Sequence, residues 1–292
     1  MRVSVIIASR NASATIERCL AALENQSCRE PFEIIFVDSS QDATAEIVRK
    51  RFPRVMVRHF DEQKYPGTAR NIGIAEARGE VFAFIDTDCI ADPAWLQRIH
   101  EAHRSADLCI GGVVDNGNPE SLVGWAAYFL EFSHWMPEGS SGELKEIATC
   151  NLSIKREAFD RYGPFLEQTY CSDSAFHWKM LKDGWQAKMA PQIRISHINI
   201  DRWRSFLRHE FFHGNSYARV RISQTGFSIA RRFVYGFGMI LLPPVLYARI
   251  ASRVLRNRRY GWKFILSTPL LLAGLACWSA GEAAGYFSGP RR

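Results

Sequence analysis

The chain has 292 residues, 47% of them apolar, which suffices for a sizeable buried core and excludes a disordered segment. Its formal charge of +7 is uneven: from Arg219 to Arg292 twelve Lys/Arg stand against one acid, Glu282, a balance of +11, leaving +7 less +11, or −4, for the first 218 residues. A basic tail beside apolar runs suits an anionic lipid surface, and a front part without a basic, aromatic-interleaved stripe argues against nucleic acid as a partner.

The predicted elements alternate. Val3 to Ala8 is a β-branched run, and Ile16, Leu20 and Leu23 then recur at helical spacing. Phe32 to Val37 is a second strand ending at Asp38. Thr44 to Phe52 is predicted as helix, Val55 to Phe60 as strand, and Asn71 to Arg78 as a short helix stopped by Gly79. Val81 to Ile85 is a fourth strand running into Asp86-Thr87-Asp88, and Asp92-Pro93 reads as an N-cap with proline opening a helix. This alternation is that of βαβ units around a mostly parallel sheet.

Further on, Leu108 to Val114 is strand-like, Leu122 to Trp135 an aromatic-rich helix, and Pro137 to Glu143 a Gly/Ser-rich loop. Ala148 to Ile154 is predicted as strand, Asp173 to Leu181 as helix, and Ile193 to His197 as the last strand. Two apolar stretches follow: Phe233 to Ile250, interrupted by Pro243-Pro244, and Phe264 to Phe287, long enough to cross a bilayer. Arginines at 231, 232, 249, 253, 256, 258, 259, 291 and 292 flank them, which buried core helices seldom show. Membrane association is expected of residues 219–292. A simple hairpin of two spans would put Arg249 to Arg259 outside, against the positive-inside rule, so the proline pair points to a re-entrant or interfacial first stretch. Seven cysteines, at 19, 28, 89, 109, 150, 171 and 277, form no CxxC pair and read as reduced thiols. Met1-Arg2 leads straight into VSVIIA with no signal-peptide pattern, so the front part is expected in the cytosol.

Asp86 and Asp88 sit at the carboxyl end of a buried strand, where ligands of open α/β sheets bind. Two acids one residue apart can hold Mg²⁺ or Mn²⁺ against phosphate oxygens. A helix-capping turn is the plainer account, but Asp92 already supplies a cap. Asp38 ends its strand in the same way and suits a ribose hydroxyl or a base, or else makes an Asx turn. Gly67-Thr68-Ala69-Arg70-Asn71, at a loop-to-helix entry, is equally open to an anion site or a capped surface helix. Asp173 opens a helix, as a general base would require; the helix dipole lowers its pKa, burial raises it, and the sequence does not say which wins.

Together the strings VSVIIASRNASATIERCLAALENQ, IIFVDSSQDAT and GTARNIGIAEARGEVFAFIDTDC, continued by TCNLSIKREAFDRYGPF, CSDSAFHWKMLKDGW and the ISH at 195–197, resemble glycosyltransferase family 2. The resemblance implies a GT-A-type α/β domain over residues 1–218, with a nucleotide-sugar-binding half at 1–115 and an acceptor half at 116–218. It implies that Ala8 and the segment after it, with Arg10, line a nucleotide pocket, that Asp38 takes the nucleoside, and that Arg70 and Asn71 face the donor. Asp86 and Thr87 would lie near the donor sugar, Asp88 would ligate the metal with Asp86 and His197 beside it, and Asn151 would lie under the sugar or acceptor subsite. Asp173 falls on the family's catalytic base, with Ser172 where a glutamate usually precedes it. The implied reaction is an inverting, metal-dependent transfer from a nucleoside-diphosphate sugar to a glycan or lipid-linked acceptor at the membrane. The processive Gln-x-x-Arg-Trp pattern is missing, since Arg202-Trp203 lacks its glutamine, so single additions are expected. A nucleotidyltransferase would need a Gly/Lys-rich phosphate loop, which SRNASAT is not. A sugar-nucleotide sensor without catalysis is disfavoured by Asp86, Asp88 and Asp173 occurring together.

Overall fold

The computed structural model describes residues 1–138, 142–257 and 259–289. Residues 139–141, in the middle of the expected 137–143 loop, and the flanking arginines 258, 291 and 292 lie outside the described residues. Internal packing divides the chain into two units. The first comprises Met1–Gly117, Ser140–Gln168 and Ser172–Ile198; the second comprises Asn118–Gly139, Thr169–Cys171 and Asn199–Arg292.

The first unit is built on β1 (Val3–Ser9), α1 (Ile16–Glu24), β2 (Phe32–Asp38), α2 (Thr44–Arg51), β3 (Met56–His59), α3 (Pro66–Glu76), β4 (Val81–Phe84), β5 (Cys89–Ala91), α4 (Trp95–Ala102) and β6 (Cys109–Asn116). After α5 (Leu122–Phe132), which belongs to the second unit, come β7 (Gly142–Leu144), β8 (Leu152–Lys155), α6 (Arg156–Tyr162), α7 (Ser172–Lys182) and β9 (Ala187–His197). The nine strands form one sheet in the order β3-β2-β1-β4-β8-β6-β9-β5, with β7 on β9. Six of the nine strands run one way and three the other, so the expected mostly parallel sheet carries antiparallel members. β1 to β4 share one direction, but β8 runs against both β4 and β6, and β5 and β7 run against β9.

Two of these reversals decide where the chemistry gathers. Crossing β8 twice restores the direction, so β6 and its parallel neighbour β9 end on the same edge as β1, β2 and β4. The chain leaves β1 toward β2 and β3, then returns to β4 on the other side, a switch of strand order that opens a crevice at the carboxyl edge. Ser9 pairs with Asp38 across it, and Asp38 with His59. Phe82, Phe84, Phe159 and Phe165 pack edge to face, and the Phe159 and Phe176 rings lie tilted 4.9 Å apart, which binds α6 and α7 to β4.

Several boundaries move. α3 starts at Pro66, not Asn71, because the proline at its first position presets the helical φ; Gly67 to Asn71 are therefore helical residues rather than a loop. Asp92 does not cap α4 directly: its Oδ1 accepts from the Ala94 N–H in a turn that precedes Trp95. The predicted 148–154 strand opens as a 3₁₀ turn, Thr149–Asn151, before β8. β5 is only three residues long and lacks a period to read.

The second unit is helical: α5 is followed by α8 (Trp203–Thr225), α9 (Ile229–Gly238), α10 (Leu242–Asn257) and α11 (Gly261–Ser288). Residue 218, expected as a boundary, lies inside α8. The stretches Ile229–Asn257 and Gly261–Ser288 are long and apolar enough to cross a membrane. Pro243 and Pro244 sit in the first turn of α10, where a missing N–H costs no helical hydrogen bond. α8 and α11 meet along small residues. A Cβ on Gly281 would strike the Phe211 carbonyl, and one on Gly285 would fall 2.7 Å from the Ala218 methyl.

Candidate active site

The carboxyl edge gathers the acids. Beyond β4 the chain makes one turn, with Cys89 N–H donating to the Asp86 carbonyl, and enters β5. Because Cys89 pairs with His197, the preceding Asp88 lies beside that histidine, and its carbonyl accepts from Ile198 N–H. His197 Nε2 stands 3.4 Å from Asp88 Oδ1, with side-chain exposures of 13% and 37%. An oxygen and an imidazole nitrogen at that separation match two ligands of one ion with bonds of about 2.0–2.2 Å. The nearby Cys89 thiol is held far above its usual pKa by burial, then by Cys150 and the two aspartates, so it is a neutral donor toward Asp88 and not a thiolate. The donor set of Asp88 and His197 fits a hard or borderline divalent cation.

Asp86 is held differently. Arg70, 6% exposed on α3, donates from Nη2 to Asp86 Oδ1 at 3.0 Å. The same guanidinium acts on Asp173, the second residue of α7. Burial would raise the Asp173 pKa, but the Arg70 charge, the Thr149 hydroxyl donating to Oδ2 at 2.8 Å, the His177 ring and the Ser174 N–H outweigh it, and the carboxyl falls below its usual 3.8. The contest left open by the sequence is won by the charge and the hydrogen bonds. Asp173 is ionised at neutral pH, and Arg70 lies in the field of both acids.

Thr87 sits in the turn between the two acids, Ala8 is partly buried near the end of β1, and Arg10 is exposed one residue beyond that strand. Three other expected residues are tied into the scaffold. Asp38 is fully buried, and its carboxylate accepts from Ser40 N–H at 3.2 Å, from the Ser40 hydroxyl and from His59 Nδ1 at 2.7 Å. Asn71 joins α3 to the next loop: its amide donates to the Phe165 carbonyl at 3.0 Å and its Oδ1 accepts from Phe165 N–H at 3.0 Å. Asn151 accepts from Trp95 Nε1 at 2.8 Å and donates to the Val113 and Ile193 carbonyls, which uses both of its amide donors inside the core.

Sequence reasoning missed His59, although the predicted third strand already placed it beside its carboxyl end. It also missed Thr149 and the pair behind Asp173, where Glu146 accepts from Ser174 Oγ at 2.8 Å and from Trp178 Nε1 at 2.7 Å. Ser172 is buried against Gly67, where a Cβ would collide with the Leu166 carbonyl, so the loop preceding Asp173 lies directly on the first turn of α3. That contact, together with Thr68 Oγ1 accepting from Gln168 N–H at 3.1 Å, fixes the entry to α7.

Comparison with known proteins gives a family and a fold. The description of glycosyl transferase family 2 matches residues 4–163, more than half the chain. The glycosyltransferase AglE of Haloferax volcanii is 31% identical over 182 residues, which are 60% of this chain and 59% of that protein, so the chain spans well under two thirds of this relative's length. Among solved structures, the mannosyltransferase PcManGT of Pyrobaculum calidifontis, in complex with GDP-Man and Mn²⁺, aligns over 97% of this chain and 75% of its own, with TM-score 0.58 and 18% identity. TarS 1–349 of S. aureus, in complex with UDP-GlcNAc, aligns over 100% of this chain and 93% of its own, with TM-score 0.56 and 16% identity.

Proposed function

The chain belongs to glycosyl transferase family 2, and from that premise we propose that its first unit, a GT-A-type mixed sheet, transfers a sugar from a nucleoside-diphosphate donor to an acceptor hydroxyl with inversion. The observation that carries this reading is the carboxyl edge, where His197 Nε2 stands 3.4 Å from Asp88 Oδ1 and Asp173 is held ionised in the field of Arg70. The GDP-Man and Mn²⁺ of the Pyrobaculum enzyme and the UDP-GlcNAc of TarS support a nucleotide-sugar donor and a divalent ion.

Asp88 and His197 would hold Mn²⁺ or Mg²⁺, and Asp86 is the next carboxylate along the turn. Such an ion offsets diphosphate charge and favours departure of the nucleotide. Asp86, pinned on one oxygen by Arg70, keeps its other oxygen for a donor hydroxyl. Asp173 accepts the proton of the attacking acceptor hydroxyl; Thr149 and Ser174 fix its plane, and its charge is available without prior deprotonation. Asp38, held by Ser40 and His59, stiffens the nucleoside end rather than offering a spare acceptor there. A single base and a single displacement leave no covalent sugar intermediate. The acceptor is read as a glycan or lipid-linked molecule, met at a cytosolic membrane face and extended by single additions, because the two apolar stretches of the second unit suit a bilayer.

The test is a panel of nucleoside-diphosphate sugars, measured for binding and slow hydrolysis with and without Mn²⁺. One donor should bind in a metal-dependent way, and Asp88→Ala should abolish that dependence. Metal-independent binding left unchanged by Asp88→Ala would overturn the reading.

A further inference from the structure

Away from the carboxyl edge, the second unit holds a cluster that sugar transfer does not use. Residues 209–213 read His-Glu-Phe-Phe-His, two histidines four residues apart on the long helix α8. That spacing puts both imidazoles on one helix face, the arrangement by which His-Glu-x-x-His helices hold zinc. The rings lie 5.4 Å apart. A third group arrives from a different element: Glu131, on α5, places Oε1 3.4 Å from His209 Nε2. Candidate ligand atoms of Glu131, His209 and His213 all lie within 4.8 Å of one another. A salt link alone would need one histidine, and the helical spacing supplies two.

Glu210 provides an independent sign. It is fully buried, and neither of its carboxyl oxygens has a hydrogen-bond partner. A buried carboxyl with no partner, one residue from His209, is a polar group whose burial a cation bound beside it would help offset. In a zinc hydrolase the glutamate of this motif faces water as a base. Glu210 does not, so the arrangement suits binding and not hydrolysis.

We propose that Glu131, His209 and His213 bind one divalent transition-metal ion of the zinc class, which fastens α5 to α8 within the second unit. Two imidazoles and one carboxylate suit zinc, and they leave a fourth position for water.

The full chain in detergent micelles, stripped with chelator, is titrated with Zn²⁺ by calorimetry and with Co²⁺ by visible absorption. An Asp88→Ala background keeps the sugar-donor corner from contributing. In that background about one equivalent of Zn²⁺ should bind and raise the melting temperature. Adding His209→Gln and His213→Gln should abolish both effects together with the tetrahedral Co²⁺ band, and Glu131→Gln should weaken binding by more than about tenfold. Should the double-histidine variant not fold, checked by circular dichroism, Glu131→Gln alone decides. No Zn²⁺ uptake in the Asp88→Ala protein, or uptake unchanged within about twofold in the ligand variants, would overturn the proposal.

Discussion

The two units distribute polarity in opposite ways. Among the described residues, Met1 is the one large apolar side chain of the first unit that stands exposed, while the second unit exposes Phe233, Val234, Phe237, Ile240 and Leu241 along one stretch. Inside, the first unit buries Ile, Val and Phe, and those of its acids that are buried or half-buried at the carboxyl edge are each matched: Asp38 by Ser40 and His59, Asp86 by Arg70, Asp173 by Thr149. The second unit buries Glu210 and Glu282 beside its own buried aromatics, while a further set of apolar side chains faces outward. A fold surrounded by water hides hydrocarbon and must partner whatever charge it hides, whereas helices with oily exteriors keep polar groups on the inside. The contrast supports the bilayer proposed for the second unit.

The largest test of this contrast is catalytic. Asp173→Asn removes the charge that Arg70 and Thr149 maintain but keeps the shape, and transfer should fall by about 10²–10⁴-fold while donor binding stays within about twofold. Equal loss of donor binding would mean that Asp173 serves the scaffold instead. Next, Val234→Asp combined with Ile240→Asp should move the protein from the membrane to the soluble fraction, since each acid at the centre of a spanning helix costs about 2.5–3.5 kcal/mol. Membrane sedimentation unchanged by the pair would remove the bilayer from the comparison.

A pH test addresses only the water-facing unit. His103 is buried, with Nε2 2.8 Å from Ser153 Oγ; because that hydroxyl donates to the Ile110 carbonyl, the ring donates to it. Burial, then the Lys155 charge, lowers its pKa from 6.5 to about 4 against the opposing pull of Asp107 and Ser153. Between these values the unfolded chain binds the proton and the folded one does not. The associated stability is therefore full above pH 6.5 and drains away as pH falls toward 4, by about 3 kcal/mol at most. Denaturant melts across that window should show the slope, and His103→Gln should flatten it. The smallest effect is expected of Gly67→Ala, which forces the Leu166 carbonyl off α3 and should cost about 1–3 kcal/mol, read as a lower melting temperature with transfer reduced through the displaced Asp173.

Much of the front half was legible because its strands are buried on both faces and read as unbroken apolar runs: Val3–Ser9, Phe32–Asp38 and Val81–Phe84 all lie within two residues of their expected limits. The strand-end rule then located Asp38, Asp86 and Asp88 on one edge. What the sequence hid depends on pairings between distant segments. β5 is too short to show a period, and only its register with β9 brings His197 to Asp88. Asn71 and Asn151 are of the right residue type at a suggestive place, yet their amides are consumed by backbone groups 94 and 38–42 positions away, which no local pattern displays. α8 escaped notice because buried Glu210 and exposed Phe211 and Phe212 invert the periodicity by which water-soluble helices are recognised.

The seam between α8 and α11 has a mechanical corollary. Gly281 rests on the main chain of Phe211 and Gly285 on that of Asn215, with only the Ala218 methyl between the helices there. Two rods joined in this way can tilt together but cannot slip lengthwise past each other. In the bilayer proposed for this unit, a change of thickness would be met by a lean of the joined pair or a bend in α9 and α10.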